Sequence, residues 1–450
     1  MKKIHLFSIS IVFILFSCSK SSSEIPEPNS EKPDQEEPKE ETPEEEEVYF
    51  TINVAEDYFN SESEGWIVSH NVNNGEILDY ARLENGSVTT FKKPTSSNIV
   101  DYNISLVNIS NYNGNTYHVI TSYVFVKANT VWQLDSQNES YVDPRGDIIG
   151  EITINANDLS SPGSWSISNK HGSTLSGYSS ATTRNNLTSV FFEDIPLFEE
   201  NRYLFSTYNT YGEVKYLFMD NLKDGDNVTF DGTQLQPFDK TLSVSVPEGG
   251  EYTAFVYGFE ENQEFDNGGG YILASYLPFD NDKIVGNIIK LGYLNALNKY
   301  ITTFNYSKDR FNFSYEKYGE APLGIPMGDM ADWNIEVTDD AVDNFIYSGA
   351  SPYLFTRQSH YWRARSGTHN VDYNETSWSI DQGKFYNTFD FKLPEEILAT
   401  YPQMDVDGLN YQNSFFYINE YDYYQYLNAI FVEPNPELLR DRMFYRIDSE

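Results

Sequence analysis

From Val48 onward apolar and polar residues alternate with a period of two, and that pattern constrains the fold more than any other feature of the chain. A side-chain period of two is what a half-buried strand needs, because successive residues point to opposite faces of a sheet. The alternation is clear in Ile104-Ser105-Leu106-Val107-Asn108-Ile109, in Thr116-Tyr117-His118-Val119-Ile120-Thr121 and in Phe311-Asn312-Phe313-Ser314-Tyr315. Asn-Gly or Asp-Gly pairs punctuate the runs at residues 74–75, 85–86, 113–114, 224–225 and 231–232, and such pairs supply the positive φ angles of tight hairpins. Helical patterns are few. Pro394-Glu395-Glu396-Ile397-Leu398 has the proline and acids of a first turn, Asp339 to Tyr347 fits two turns, and Ile284 to Leu297 fits either period. With 39% hydrophobic and 16% aromatic residues there is ample material for a core, which excludes disorder over most of the length. The expectation is an all-β protein of tandem antiparallel β-sandwiches with minor short helices.

A repeat sharpens the organisation. Residues 66–77, beginning Trp66-Ile67-Val68-Ser69, match residues 203–214, beginning Tyr203-Leu204-Phe205-Ser206, with Gly75 on Gly212. Further on, Leu83, Gly86, Thr90 and Phe91 align with Leu222, Gly225, Thr229 and Phe230. Upstream, Thr51-Ile52-Asn53 and Thr153-Ile154-Asn155 mark similar starts. Two homologous sandwiches explain this; the alternative is that any two antiparallel meanders look alike. Cutting at the polar stretches 135–147 and 278–283 gives a first sandwich over 48–140, a second over 147–278 and a C-terminal β-rich domain over 283–450.

The beginning of the chain bears on location. Lys2 and Lys3 precede a 13-residue apolar stretch, Ile4 to Phe16, broken only by His5, Ser8 and Ser10. That is too short to span a bilayer, which takes about 20 residues, but fits a signal peptide over 1–17. It ends in Leu15-Phe16-Ser17-Cys18, which resembles the lipobox of bacterial lipoproteins. The resemblance implies cleavage before Cys18, a diacylglycerol thioether on its sulfur and a further acyl chain on the new amino group. Several chains anchor stably where one is marginal. Ser19 rather than Asp follows the cysteine, which points to the outer membrane. Residues 18–47 then read as a disordered acidic Pro/Glu tether. Between Glu24 and Glu47 stand twelve acids, two lysines and five prolines. Such a spacer extends to roughly 90 Å at ~3.1 Å per residue. Strand-rich modules on an acidic tether behind a lipobox resemble the Ig-like or carboxypeptidase-regulatory-like sandwiches of Bacteroidota cell-surface lipoproteins. The location implied is the outer membrane or cell surface, with the membrane as partner through Cys18.

The formal net charge is −38, of which −31 remains on residues 48–450 once the basic leader and acidic tether are set aside. Acidity on the folded part disfavours nucleic acid and other polyanions, whose attraction depends on Lys and Arg. The single cysteine excludes an intramolecular disulfide framework and multi-cysteine metal sites. No His-Glu-x-x-His, Gly-x-Ser-x-Gly, P-loop or dinucleotide-binding glycine motif is present. Acidic turns at Asp405-Val406-Asp407-Gly408 and Asp220–Asp226 offer hard oxygen ligands, but neither has EF-hand spacing. Turn-forming residues account for both, so no cofactor is expected and structural calcium is the lesser alternative.

One segment departs from its acidic surroundings. Residues 357–373 (RQSHYWRARSGTHNVDY) hold three of the chain's eleven arginines. On a strand, His360 and Trp362 face one side while Tyr361, Arg363 and Arg365 face the other. Aromatic faces stack on sugar C–H surfaces and arginine clamps carboxylates, so these five residues are the ligand-binding candidates. The alternative is an ordinary strand with Trp362 in the core and arginines paired with acids. The tyrosine-rich run 411–426 divides the same way, between an exposed platform and cross-strand pairing. The basic cluster Arg440, Arg442 and Arg446 is explained by surface ion pairs. The functional expectation is a non-enzymatic surface protein binding an extracellular ligand, foremost a glycan. The second reading is a structural or adhesive module contacting other proteins, and the third a carboxylate-based hydrolase.

Overall fold

Alternating sequences of this kind bury one side of each strand, and the sheets they form are layered to do so. The computed structural model describes residues 46–449 except 95–99, 137–146, 161, 174–178, 200–201, 264, 266–268, 279–283, 285, 329–332, 350–353 and 385–390. Cys18 and the tether up to residue 45 therefore lie outside the described residues. The rest is all-β, in sandwich-like antiparallel-rich layers with short helices at Glu395–Thr400, Tyr423–Leu427 and Pro436–Arg440 and a π-helical turn at Asn428–Val432.

The largest element is a twelve-stranded sheet. Its strands run, in spatial order, Tyr271–Tyr276, Glu251–Phe259, Lys299–Lys308, Phe311–Gly319, Arg442–Asp448, Asn410–Tyr417, Arg357–Ser366, Asn374–Gly383, Asn115–Lys127, Asp101–Tyr112, Ser63–Asn71 and Ile77–Leu83. Neighbours are antiparallel except Asn374–Gly383, which runs parallel to Asn115–Lys127. The expected cuts coincide with segments outside the described residues, and strand pairing carries on past both: stretches on either side of each cut lie in this one sheet.

Four apolar clusters hold the layers. A three-stranded sheet (Val88–Pro94, Glu46–Val54 and Thr130–Leu134) covers the end of the large sheet, where Tyr49, Phe50 and Trp132 meet Ile67, Ile104 and Tyr123. The π-helical turn closes that layer, with Phe431 stacked on Trp132 at 4.0 Å. On the opposite face Trp66, Val107, Trp362 and Trp378 pack under Phe345 and Ile397. The strand pair Lys240–Ser245 and Ile288–Tyr293 covers the far half through Ile289, Leu291 and Tyr293. Separately, a four-stranded and a five-stranded sheet enclose Ile154, Ile167, Phe192, Phe205 and Phe230.

The repeat has a structural counterpart in its hairpins. Gly75 and Gly212 both have φ of 72°, and their N–H groups donate to the carbonyls of Asn71 and Asn209, each at 2.9 Å. The Asn71 and Asn209 side chains cap the same turns, accepting from Asn73 N–H and Tyr211 N–H. The next glycine turns also correspond: Gly86 and Gly225 have φ of 69° and 79°, and their N–H groups donate to the carbonyls of Ala55 and Glu151 at 3.2 and 2.8 Å. The likeness ends at the strands that follow. The strand carrying Phe91 runs antiparallel to Glu46–Val54, whereas the one carrying Phe230 runs parallel to Ile148–Ser160.

Local expectations fared unevenly. The Pro394 helix forms, with both acids in its first turn. Asp339 to Tyr347 is not helical: Glu336–Asp339 and Ile346–Ser348 pair as a hairpin. Its apolar residues fit a helical period, but Phe345 is drawn inward to sit edge-on to Trp362 at 5.3 Å, a contact distant in sequence. The ambiguous 284–297 segment supplies the strand Ile288–Tyr293.

Candidate functional site

The strand Arg357–Ser366 lies in the middle of the large sheet, between Asn410–Tyr417 and Asn374–Gly383. Its two sides carry different chemistry. His360 and Trp362 are both fully buried, which corrects their reading as ligand-facing residues: their rings are core material. Phe345 lies 4.5 Å from His360, whose Nδ1 is 2.6 Å from Ser414 Oγ. Loss of solvation depresses the His360 pKa to about 3, so the ring is neutral at physiological pH. Trp362 Nε1 donates to the Asp340 carbonyl at 2.6 Å, which satisfies its polar atom.

The other side is open. Tyr361 and Arg363 are half-buried and Arg365 is exposed. Arg365 pairs with Glu375 at 2.7 Å, and the Tyr373 hydroxyl donates to the same carboxylate oxygen at 2.7 Å. Burial alone would raise the Glu375 pKa, but these two hydrogen bonds together with the charges of Arg365 and Arg363 outweigh it, and the net direction is downward. Arg363 has an amide acceptor, Gln412 Oε1, at 2.9 Å.

Arg357, at the start of the strand, has a role that its sequence does not announce. Its guanidinium lies between Tyr417 and Tyr426, each ring centre at 3.6 Å, and reaches the buried Asp381 carboxylate at 3.6 Å. Burial raises the Asp381 pKa, and the arginine offsets part of that. The cation thus ties the Tyr423–Leu427 helix to the sheet. Tyrosines of the 411–426 run are largely committed to such packing, with Tyr411, Tyr421 and Tyr423 buried.

Two side chains of the strand support a groove that they do not line. Asp340, held by Trp362, and Gln412, held by Arg363, face a groove of about 740 Å³ together with Arg310, Glu336, Asn410 and Asp448. Polar groups dominate its walls. Asp448 is fixed by Asn312 Nδ2 at 2.8 Å and by Arg446 through two nitrogens at 2.9 Å. A β-bulge places Gln412 here: Tyr361 pairs with Asn413 and Trp362 with Tyr411, leaving Gln412 as the extra residue. Sequence reading missed this groove because its residues come from four distant stretches, and a one-residue bulge leaves no mark in an alternating pattern.

The remaining candidates resolve simply. Arg440, Arg442 and Arg446 pair with Glu437, Glu316 and Asp448. In the acidic turns, Asp405 accepts from Gly408 N–H at 2.8 Å, Asp224 from Glu151 N–H at 3.0 Å and Asp226 from Lys223 N–H at 2.7 Å. Among the described residues no group of three His, Cys, Asp or Glu side chains is placed to hold a metal ion. His70 and His118 are buried in the same interior face as His360; burial lowers the pKa of both, to about 4 for His70. No helix among the described residues is long and apolar enough to cross a membrane.

No family model matches this chain, and no curated protein matches it.

Proposed function

We propose that this protein is a lipid-anchored lipoprotein of the outer membrane or cell surface that binds an extracellular glycan without transforming it. The observation that carries the glycan reading is the groove beside Arg357–Ser366, where planar amide, carboxylate and guanidinium groups converge with little apolar surface. Groups of that kind pair with vicinal hydroxyls, whereas a small apolar ligand would need an apolar cleft. The anchor is proposed on the sequence of Cys18 and its leader alone.

Affinity electrophoresis of the full chain through polysaccharide gels tests the binding. At least one polymer retards the wild type, and Gln412→Ala or Asn410→Ala restores most of the mobility. Unchanged mobility across a broad panel of neutral and acidic polymers would sink the proposal. For the anchor, palmitate labelling of the expressed protein disappears in Cys18→Ser; labelling that survives refutes it.

A further inference from the structure

The two edges of the large sheet are finished differently. At one edge, Tyr271–Tyr276, neighbouring strands take up the outer backbone groups. Ile272 N–H donates to Ser168 Oγ at 2.8 Å, the Ile272 carbonyl accepts from Ser206 Oγ at 2.8 Å, and Gly270 N–H donates to the Lys170 carbonyl at 2.8 Å. At the other edge, Ile77–Leu83 pairs only with Ser63–Asn71, and among the described residues no strand adjoins its outer side.

Asp79 shows which way this edge faces. Its Oδ1 accepts the Tyr80 backbone N–H at 2.9 Å, so that N–H points away from the sheet. Alternation then turns the amide of Arg82 outward as well; Leu78 is the extra residue of a β-bulge opposite Ser69 and His70. The carboxylate oxygen stands where the carbonyl of an added strand would stand. Leu78 and Tyr80 expose 40% and 37% of their surfaces along this edge. The outward donors and acceptors of alternate residues along this strand are matched by another polypeptide backbone. Charge narrows the partner: Glu76 and Glu84 flank the strand, Tyr80 bonds Glu396, and Arg82 is neutralised by Glu64.

We propose that Ile77–Leu83 is a docking edge for an extended, Lys- or Arg-bearing segment of a partner protein, which adds as a thirteenth strand. A second copy of the chain fits less well, because each body carries a net charge of −31 by sequence.

Amide hydrogen exchange of the full chain tests this with three synthetic nine-residue peptides. One alternates Lys with Val and Thr, one has Glu in place of Lys, and one is the Lys peptide N-methylated at alternate residues. The Lys peptide slows exchange at Tyr80 and Arg82 at least tenfold, and added salt weakens the effect. The Glu and N-methylated peptides leave exchange unchanged. In Asp79→Ala without peptide, Tyr80 N–H exchanges faster than in wild type, and the Lys peptide restores its protection. The proposal is overturned if the Lys peptide gives no protection or if the N-methylated peptide protects equally. It is also overturned if the Tyr80 amide of Asp79→Ala stays protected alone, or if raising the protein concentration protects the edge without peptide.

Discussion

The two sides of Arg357–Ser366 share one backbone and part company at every second residue. On one side His360 and Trp362 are sealed under Phe345, with His360 Nδ1 matched to Ser414 and Trp362 Nε1 to the Asp340 carbonyl. On the other side Tyr361, Arg363 and Arg365 stand beside hydroxyls, amides and a carboxylate with water close by. The difference teaches that an aromatic-rich segment is not a binding site as a unit. Its tryptophan supports the groove at one remove, by fixing the carbonyl of a residue that lines it.

Acid gives the hardest test of that division, since it acts on the buried side. His360 and His70 titrate near 3 and 4 in the folded protein against 6.5 for a solvated ring. Well above pH 6.5 the rings are neutral in both states and their titration does not change stability. Below it the unfolded chain binds protons that the folded protein refuses. Stability therefore falls as pH drops from 6.5 toward 4, by roughly 3 kcal/mol for each ring. Urea unfolding at pH 7 and pH 4.5 measures the fall, and His360→Leu makes it shallower.

Trp362→Ala comes next, with a loss of roughly 3–5 kcal/mol in the urea midpoint series from the lost burial and cavity. It also releases the Asp340 carbonyl, so glycan retention weakens even where the variant remains folded. Arg357→Met removes one partner of a buried pair; about 3 kcal/mol is lost because Asp381 is left uncompensated. Adding Asp381→Leu recovers part of it, as a double-mutant cycle would show. Arg363→Ala reverses the order of effects. Its stability change stays within about 0.5 kcal/mol, while polysaccharide retention falls because Gln412 loses its orienting donor. Arg365→Ala is smallest, within about 0.5 kcal/mol in stability and without effect on retention, as expected for an exposed pair with Glu375. If Arg363→Ala instead unfolds the protein, the open side is structural and the division collapses.

Much of the fold was legible because alternation is local. Period two separated His360 and Trp362 from Tyr361, Arg363 and Arg365, and the strand preserves that separation. Which side would be covered was not legible. That depends on Phe345 arriving from a hairpin whose own sequence looks helical, and on layers contributed from residues 46–134 and 391–411. The hairpin glycines were readable for a similar local reason, since only a few residues accept φ near 72°. The direction of the strands after those hairpins was not, because sequence likeness carries no sign for parallel against antiparallel pairing. The groove was illegible altogether, being the product of a bulge and of side chains far apart in the chain.

The order in which the large sheet is assembled follows from its pairing. Strands at 63–127 form one flank and strands at 251–319 the other, and the strands joining them come from 357–448. During synthesis both flanks are present before their bridge. Until then the outer sides of Asn115–Lys127 and Phe311–Gly319 are bare edges of the kind that mispair between chains. Closure waits for the final strand, Arg442–Asp448, so a nascent chain stalled shortly before it holds two half-sheets with nothing to unite them. Keeping the chain unfolded until Arg442–Asp448 has emerged avoids that state.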